Sequence, residues 1–208
     1  MTTRNFHKTI GLILLLPLLG WVTTAMVFYI KPGYAGAYEL LEPKTYPLNE
    51  RLSVSGMDSA WLEIRYVRTV LGLHVIARTK EGLVQFDPQT FQPRKQPGDE
   101  KLRILLNDAF TNNPARYGEV ASISRDTAVT TTNVRVIFDW NGLTMYQRGA
   151  DTDMIDMLYK IHYLQWTGVK ALDRVLGPLG LALVVLLSTL GLRLAFKSVR
   201  TSVILKSE

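Results

Sequence analysis

Three histidines, His7, His74 and His162, are the side chains of this chain best placed by type to carry acid–base or metal chemistry near neutral pH. No two of them stand at a metal-ligand spacing such as H-x-x-x-H. There is no cysteine, which removes thiolate ligands, disulfides and redox thiols together. A zinc site is therefore not expected. The sequence also lacks G-x-G-x-x-G, a P-loop, G-x-S-x-G and H-E-x-x-H, so no nucleotide or hydrolase chemistry is signalled and no catalytic residue is assigned. What distinguishes the histidines is position. His7 heads a long apolar run, His162 precedes a second one, and His74 falls in a strand-like stretch, where it reads as an ordinary strand residue.

The elements that must position them begin with those two runs. Residues 9–30 contain no charged side chain, and residues 175–192 read VLGPLGLALVVLLSTLGL. About 20 apolar residues at ~1.5 Å each match the hydrocarbon core of a bilayer, so both runs are predicted to be transmembrane helices. Ala35-Gly36-Ala37 resembles a signal-peptidase site. Signal-peptide apolar regions run only about 7–15 residues, however, so an uncleaved anchor is expected.

The net charge of +6 is not spread evenly. Residues 31–170 carry 17 basic and 16 acidic side chains, and the excess sits on the ends, with Arg4 and Lys8 before the first run and Arg193, Lys197, Arg200 and Lys206 at or after the second. A near-neutral loop offers no clustered basic face, so nucleic acid is not an expected partner. Positive residues beside spans stay cytoplasmic. Both ends agree, which places the 31–170 loop outside the cytoplasm. Arg193 is read as a side chain that snorkels to the headgroups. Pro17 and Gly20 in one span, with Gly177, Pro178 and Gly180 in the other, are read as positions of kinking or close helix contact.

Within the loop, residues 31–59 are rich in Pro, Gly and Tyr and predict an extended connector. Alternating Ile, Val and Tyr over 61–70 and 73–78, then 83–86, predict strands. Asp87-Pro88-Gln89-Thr90 predicts a tight turn. Asp99 is the expected N-cap of a helix whose stripe of Leu102, Leu105, Leu106, Ala109 and Phe110 belongs against a sheet. Weaker strands are expected at 120–123 and 129–132. Residues 134–148 read as a hairpin. Asn141-Gly142 suggests a type I′ turn, placing Trp140 opposite Leu143 and Phe138 opposite Met145. Asp151-Thr152-Asp153 is expected to cap a last helix carrying Ile155, Leu158, Tyr159, His162 and Trp166 on one face.

The order of anchor, strands, D-P-x-T turn, helix, VIFDWNGLTMYQ hairpin, LYKIHYLQWTG helix and Leu-rich span resembles the PepSY-associated transmembrane family. Phe91 stands where the family's D-P-x-T-G turn has glycine. The resemblance implies an α+β protein: two transmembrane helices flanking a PepSY-like antiparallel sheet-plus-helix domain. The segments are an N-tail and first span (1–30), a connector (31–59), the PepSY-like domain (60–150), an amphipathic helix (151–170), a second span (171–196) and a basic tail (197–208). It further implies a bacterial inner membrane with the domain in the periplasm. The expected role is a non-catalytic accessory or docking module for another membrane or periplasmic protein, or for a second copy of itself. No cofactor is required for that role. Longer relatives are associated with haem and ferric-siderophore reduction, which makes a haem b-binding electron-transfer subunit the alternative, with His162 and His7 as cofactor-binding residues. One chain is not expected to clamp a single haem with both, because ~30 Å of hydrocarbon would lie between them.

Overall fold

The computed structural model describes residues 2–49 and 60–204. The last stretch of the connector (50–59) and Lys206 of the basic tail lie outside the described residues. The chain forms two compact units, residues 1–32 with 154–208, and residues 33–153.

The first unit is built on two long helices, α1 (Thr3–Ile30) and α6 (Lys170–Ile204). Thr2 caps α1 by accepting a bond from the Asn5 amide, and Lys31 ends it in the left-handed region, its amide bonded to the Val27 carbonyl. Both helices are long and apolar enough to cross a bilayer. They run antiparallel, and glycine sets how closely they meet. A Cβ at Gly11 would stand 3.6 Å from Leu187, one at Gly180 3.2 Å from Trp21, and one at Gly191 3.1 Å from His7. Of the expected contact glycines, Gly180 meets the other span. Gly20 instead faces Ile161, and Gly177 faces the Tyr163 carbonyl. The α1 side of the seam buries Ile10, Leu14 and Thr24, while Leu12, Leu16, Val22, Leu181 and Val185 remain exposed.

The second unit holds two antiparallel sheets. One is β1 (Glu63–Thr69), β2 (Gly72–Arg78) and β3 (Leu83–Phe86), in that order. The other is β4 (Val120–Ser124), β5 (Thr127–Thr130), β6 (Arg135–Asp139) and β7 (Thr144–Arg148). The stripe on α3 (Asp99–Phe110) is buried as its periodicity requires, packed in one core with Ile76, Val136, Phe138, Trp140, Leu143 and Met145. Sheet and helix are therefore both present, but the single helix-covered sheet expected is two sheets. β2 is buried on both faces: Ile76 joins the main core, while Val75 and Ala77 join Phe86 in a second cluster walled by Trp61 and Phe91.

Five local expectations need correction. Gly98, not Asp99, is the N-cap of α3. Asp99 and Glu100 fill its first turn, where their charge opposes the helix dipole. The connector is not extended throughout, since Tyr34–Ala37 forms a short helix, α2, and Leu41 enters the main core. The hairpin register is as expected, Phe138 opposite Met145, but its turn is not type I′. The left-handed residue is Leu143, and neither Asn141 nor Gly142 has positive φ. The Asp139 carboxylate explains this: it accepts from the Asn141 and Gly142 amides at 3.1 and 3.2 Å and holds the loop in a side-chain-closed turn. Gly142 is thus required for space rather than for φ, because a Cβ there would lie 2.8 Å from that carboxylate.

The fourth correction concerns the last helix, α5 (Ala150–His162), which stops at His162 because Leu164 turns left-handed. Trp166 is off the helix and half-exposed. The fifth is the second span, whose helix extends beyond 171–196 at both ends. The D-P-x-T turn does form, with Asp87 accepting from the Gln89 and Thr90 amides, and Phe91 adopts φ 54, the conformation glycine would take without strain.

Candidate functional site

His162 is the best-organised of the expected site residues. It ends α5, and its carbonyl accepts the Trp21 indole N–H at 2.6 Å. Nδ1 lies 2.8 Å from Thr24 Oγ1. Phe28 and Tyr163 stand edge-on to the ring at 5.2 and 5.4 Å, and Phe28 also stacks on Tyr159 at 4.6 Å. Each contact comes from α1 or from α5 and its exit. α1 supplies Trp21, Thr24 and Phe28 at helical spacing, and α5 supplies Tyr159 and His162. Sequence pattern placed Tyr159 beside His162. It gave no indication of the Thr24 and Trp21 partners.

His7 is elsewhere. Its Nε2 rests over Gly191. It stands 17 residues before Thr24 on one helix, about 25 Å along the axis. The structure does not bring His7 and His162 together, so the pair does not fit one haem within one chain.

His74 is more than an ordinary strand residue. It is wholly buried, with Nε2 2.8 Å from Thr69 Oγ1 and Nδ1 3.0 Å from Gln85 Oε1. The Gln85 oxygen can only accept, so Nδ1 carries the proton and Nε2 accepts from Thr69. Gln85 in turn donates to the Trp140 carbonyl, tying the first sheet to the hairpin of the second. Burial holds the His74 pKa below its ordinary value, with the Arg94 charge adding to the shift and the Gln85 bond opposing it. The neutral ring is therefore the folded form. An unfolded chain takes up a proton near pH 6.5 that the folded chain refuses. The loop domain should be at full strength above that value and lose stability as pH falls below it. Thermal midpoints between pH 7.5 and 5 should fall less steeply in His74→Gln than in the parent, and parallel slopes would exclude this role.

A second cluster was not anticipated from sequence. Arg116, on the short helix α4 (Pro114–Tyr117), donates to Asp151 at 2.6 and 3.2 Å and to Gln147 at 2.6 Å, with Glu39 4.0 Å away. Gln147 donates onward to the Gly36 and Ala37 carbonyls. Hydrogen bonds from Arg116 hold the Asp151 pKa below its ordinary value. Tyr117, buried beside this cluster, has its hydroxyl pKa pushed up to about 12, by burial first and then by the Glu39 charge. These groups hold the connector, α4 and the exit of the hairpin together. Among the described residues, no three His, Asp or Glu side chains gather as a metal site.

No family model matches the chain, and neither the curated proteins nor the solved structures give a match to it.

Proposed function

We propose that this is a two-pass membrane protein whose 33–153 unit is a PepSY-like module held outside the cytoplasm, acting without catalysis as a docking or accessory subunit for another envelope protein. The supporting observation is the outer surface of the helix pair. Its exposed side chains, such as Leu12, Leu16, Val22, Leu181 and Val185, form an apolar surface that water would not tolerate and lipid would. The buried His74 and the largely buried Arg116 and Asp151 are engaged in holding the fold, which leaves recognition to the surface of the unit. The outward face of β6 and β7 offers such a surface. Ile137 and Tyr146 pair across the strands, 52 and 66% exposed, between Arg135 and Arg148 at one end and Asp139 at the other.

With no native cysteine, orientation is readily tested. An impermeant thiol reagent should label a cysteine at Asn112 in intact cells and one at Ser207 only after lysis; the opposite pattern would refute the orientation. For docking, Ile137→Asp with Tyr146→Asp should abolish recovery of a specific co-purifying membrane protein while leaving the thermal midpoint unchanged. Retention of that partner would refute the role of this face. The haem-carrying reading needs its second axial ligand from another chain. It predicts a reducible b-type spectrum in the intact complex that His162→Ala removes and His74→Ala does not, and a blank spectrum ends it.

A further inference from the structure

α1, α6 and the end of α5 frame a cleft of about 250 Å3 lined by Trp21, His162, Tyr163, Gly177 and Leu181. Its chemistry turns on one ring. Thr24 Oγ1 lies 2.7 Å from the Gly20 carbonyl oxygen and 2.8 Å from Nδ1 of His162. Two oxygens at 2.7 Å repel unless a proton lies between them, so the single hydroxyl proton of Thr24 goes to Gly20. The Thr24 oxygen must then accept from His162, and Nδ1 carries the hydrogen. In the neutral imidazole, Nε2 is left as a lone-pair acceptor. It has no hydrogen-bond partner among the described residues. The Trp21 N–H, on the wall of the cleft, is already engaged by the His162 carbonyl.

His162 lines the cleft together with Trp21 and Tyr163, and none of the lining residues is Lys or Arg. The imidazole can thus present its acceptor between aromatic walls with no cationic side chain among them. A phosphate headgroup would meet no positive charge there. A quinone carbonyl would set its lone pairs against that of Nε2. A neutral O–H on a flat ring suits both the acceptor and the walls. We propose that the cleft binds the ring of a membrane-soluble hydroquinone, its hydroxyl donating to Nε2 of His162 and its tail lying along α1 and α6. The depth agrees. Thr24 stands six residues before the end of α1, about 9 Å along the axis, near the level where headgroups begin. Gly177 keeps that side of the cleft open, since a side chain there would begin 3.2 Å from the Tyr163 carbonyl. The inference rests on the helix pair lying in a bilayer, which the labelling experiment tests by itself, and does not need the docking role.

The test uses the full chain in phosphatidylcholine nanodiscs. The probes are decylhydroquinone and its dimethyl ether, which keeps the ring and tail but has no O–H. Binding is read by saturable quenching of tryptophan emission. The hydroquinone should bind about tenfold more tightly than the ether, the worth of one hydrogen bond. His162→Ala should reduce it to the ether's affinity. Thr24→Val, which keeps the imidazole but frees its tautomer, should erode the preference without removing binding. Leu181→Trp should block both compounds by filling the cleft. Equal affinities in the parent, an undiminished preference in His162→Ala, or equally effective displacement by a short-chain phosphatidic acid would each overturn the proposal. So would a b-type haem spectrum that depends on His162, because Nε2 would then be coordinated.

Discussion

Arg116→Leu should lower the stability of the 33–153 unit by about 3–5 kcal/mol, the scale for breaking a buried ion pair from one side. The midpoint of its thermal transition should drop by on the order of 10 °C. The Arg116 and Asp151 side chains are only 12 and 23% exposed, which separates this pair from surface bridges worth about 0–1 kcal/mol. Leucine replaces the stem of the arginine but leaves the Asp151 carboxylate with only its Thr152 donors and no countercharge, and takes from the Gln147 amide oxygen the Arg116 donor. It also removes the charge nearest Glu39. A double variant, Arg116→Leu with Asp151→Asn, should recover part of the loss because the stranded charge is gone. The pH dependence follows the depressed Asp151 pKa. The stabilisation is present above the ordinary carboxylate value of 3.8 and is lost as pH falls through the lower folded value. A single-variant cost below about 1 kcal/mol would mean the cluster is solvated, and the connector is not latched by it.

The parts of the fold that sequence revealed are those where one period dominates. The α3 stripe is legible because five apolar positions repeat at helical spacing and all five are buried. The β6–β7 register is legible because Val136, Phe138 and Met145 alternate with wet positions. Turn type is not legible there, because Asn-Gly propensity competes with the Asp139 side chain, which bonds the same two amides. The burial of His74 does have a signal in the sequence. The run Leu73 to Ala77 is apolar without alternation except at the histidine, which marks a strand covered on both faces, where a polar ring must find partners. The Arg116 cluster had no such signal. Its members stand 31 to 111 positions apart in the bonded pairs, and a near-neutral charge count gives no indication of which of them meet. The His162 site was half legible. Helical spacing put Tyr159 on the same face, but Thr24 and Trp21 come from the other end of the chain, and only the antiparallel packing of α1 with α6 and α5 brings them to the ring.

Gly118→Ala should be nearly as damaging as the loss of Arg116, at about 2–4 kcal/mol, although it adds one methyl group. Gly118 follows α4 with φ 59 and ψ −120, a conformation that side-chain-bearing residues adopt only under strain of about 1–3 kcal/mol. Its amide is fixed by a 2.8 Å bond to the Pro114 carbonyl, which keeps the backbone from relaxing. A Cβ would also fall 2.2 Å from Thr131 Oγ1. That hydroxyl is not free to swing away at no cost, because it accepts the Glu119 amide at 3.1 Å while the Thr131 amide bonds the Glu119 carbonyl at 2.8 Å. Rotating it would lose a hydrogen bond, on the order of 1 kcal/mol. The two causes separate in a cycle. In a Thr131→Ala background the collision disappears and only the backbone strain remains, so Gly118→Ala should cost about 1 kcal/mol less there than in the parent. Equal costs in both backgrounds would assign the whole effect to φ and ψ. A neutral Gly118→Ala would mean that α4 does not end in this conformation, and Arg116, two residues earlier, would then lose the support that aims it at Asp151.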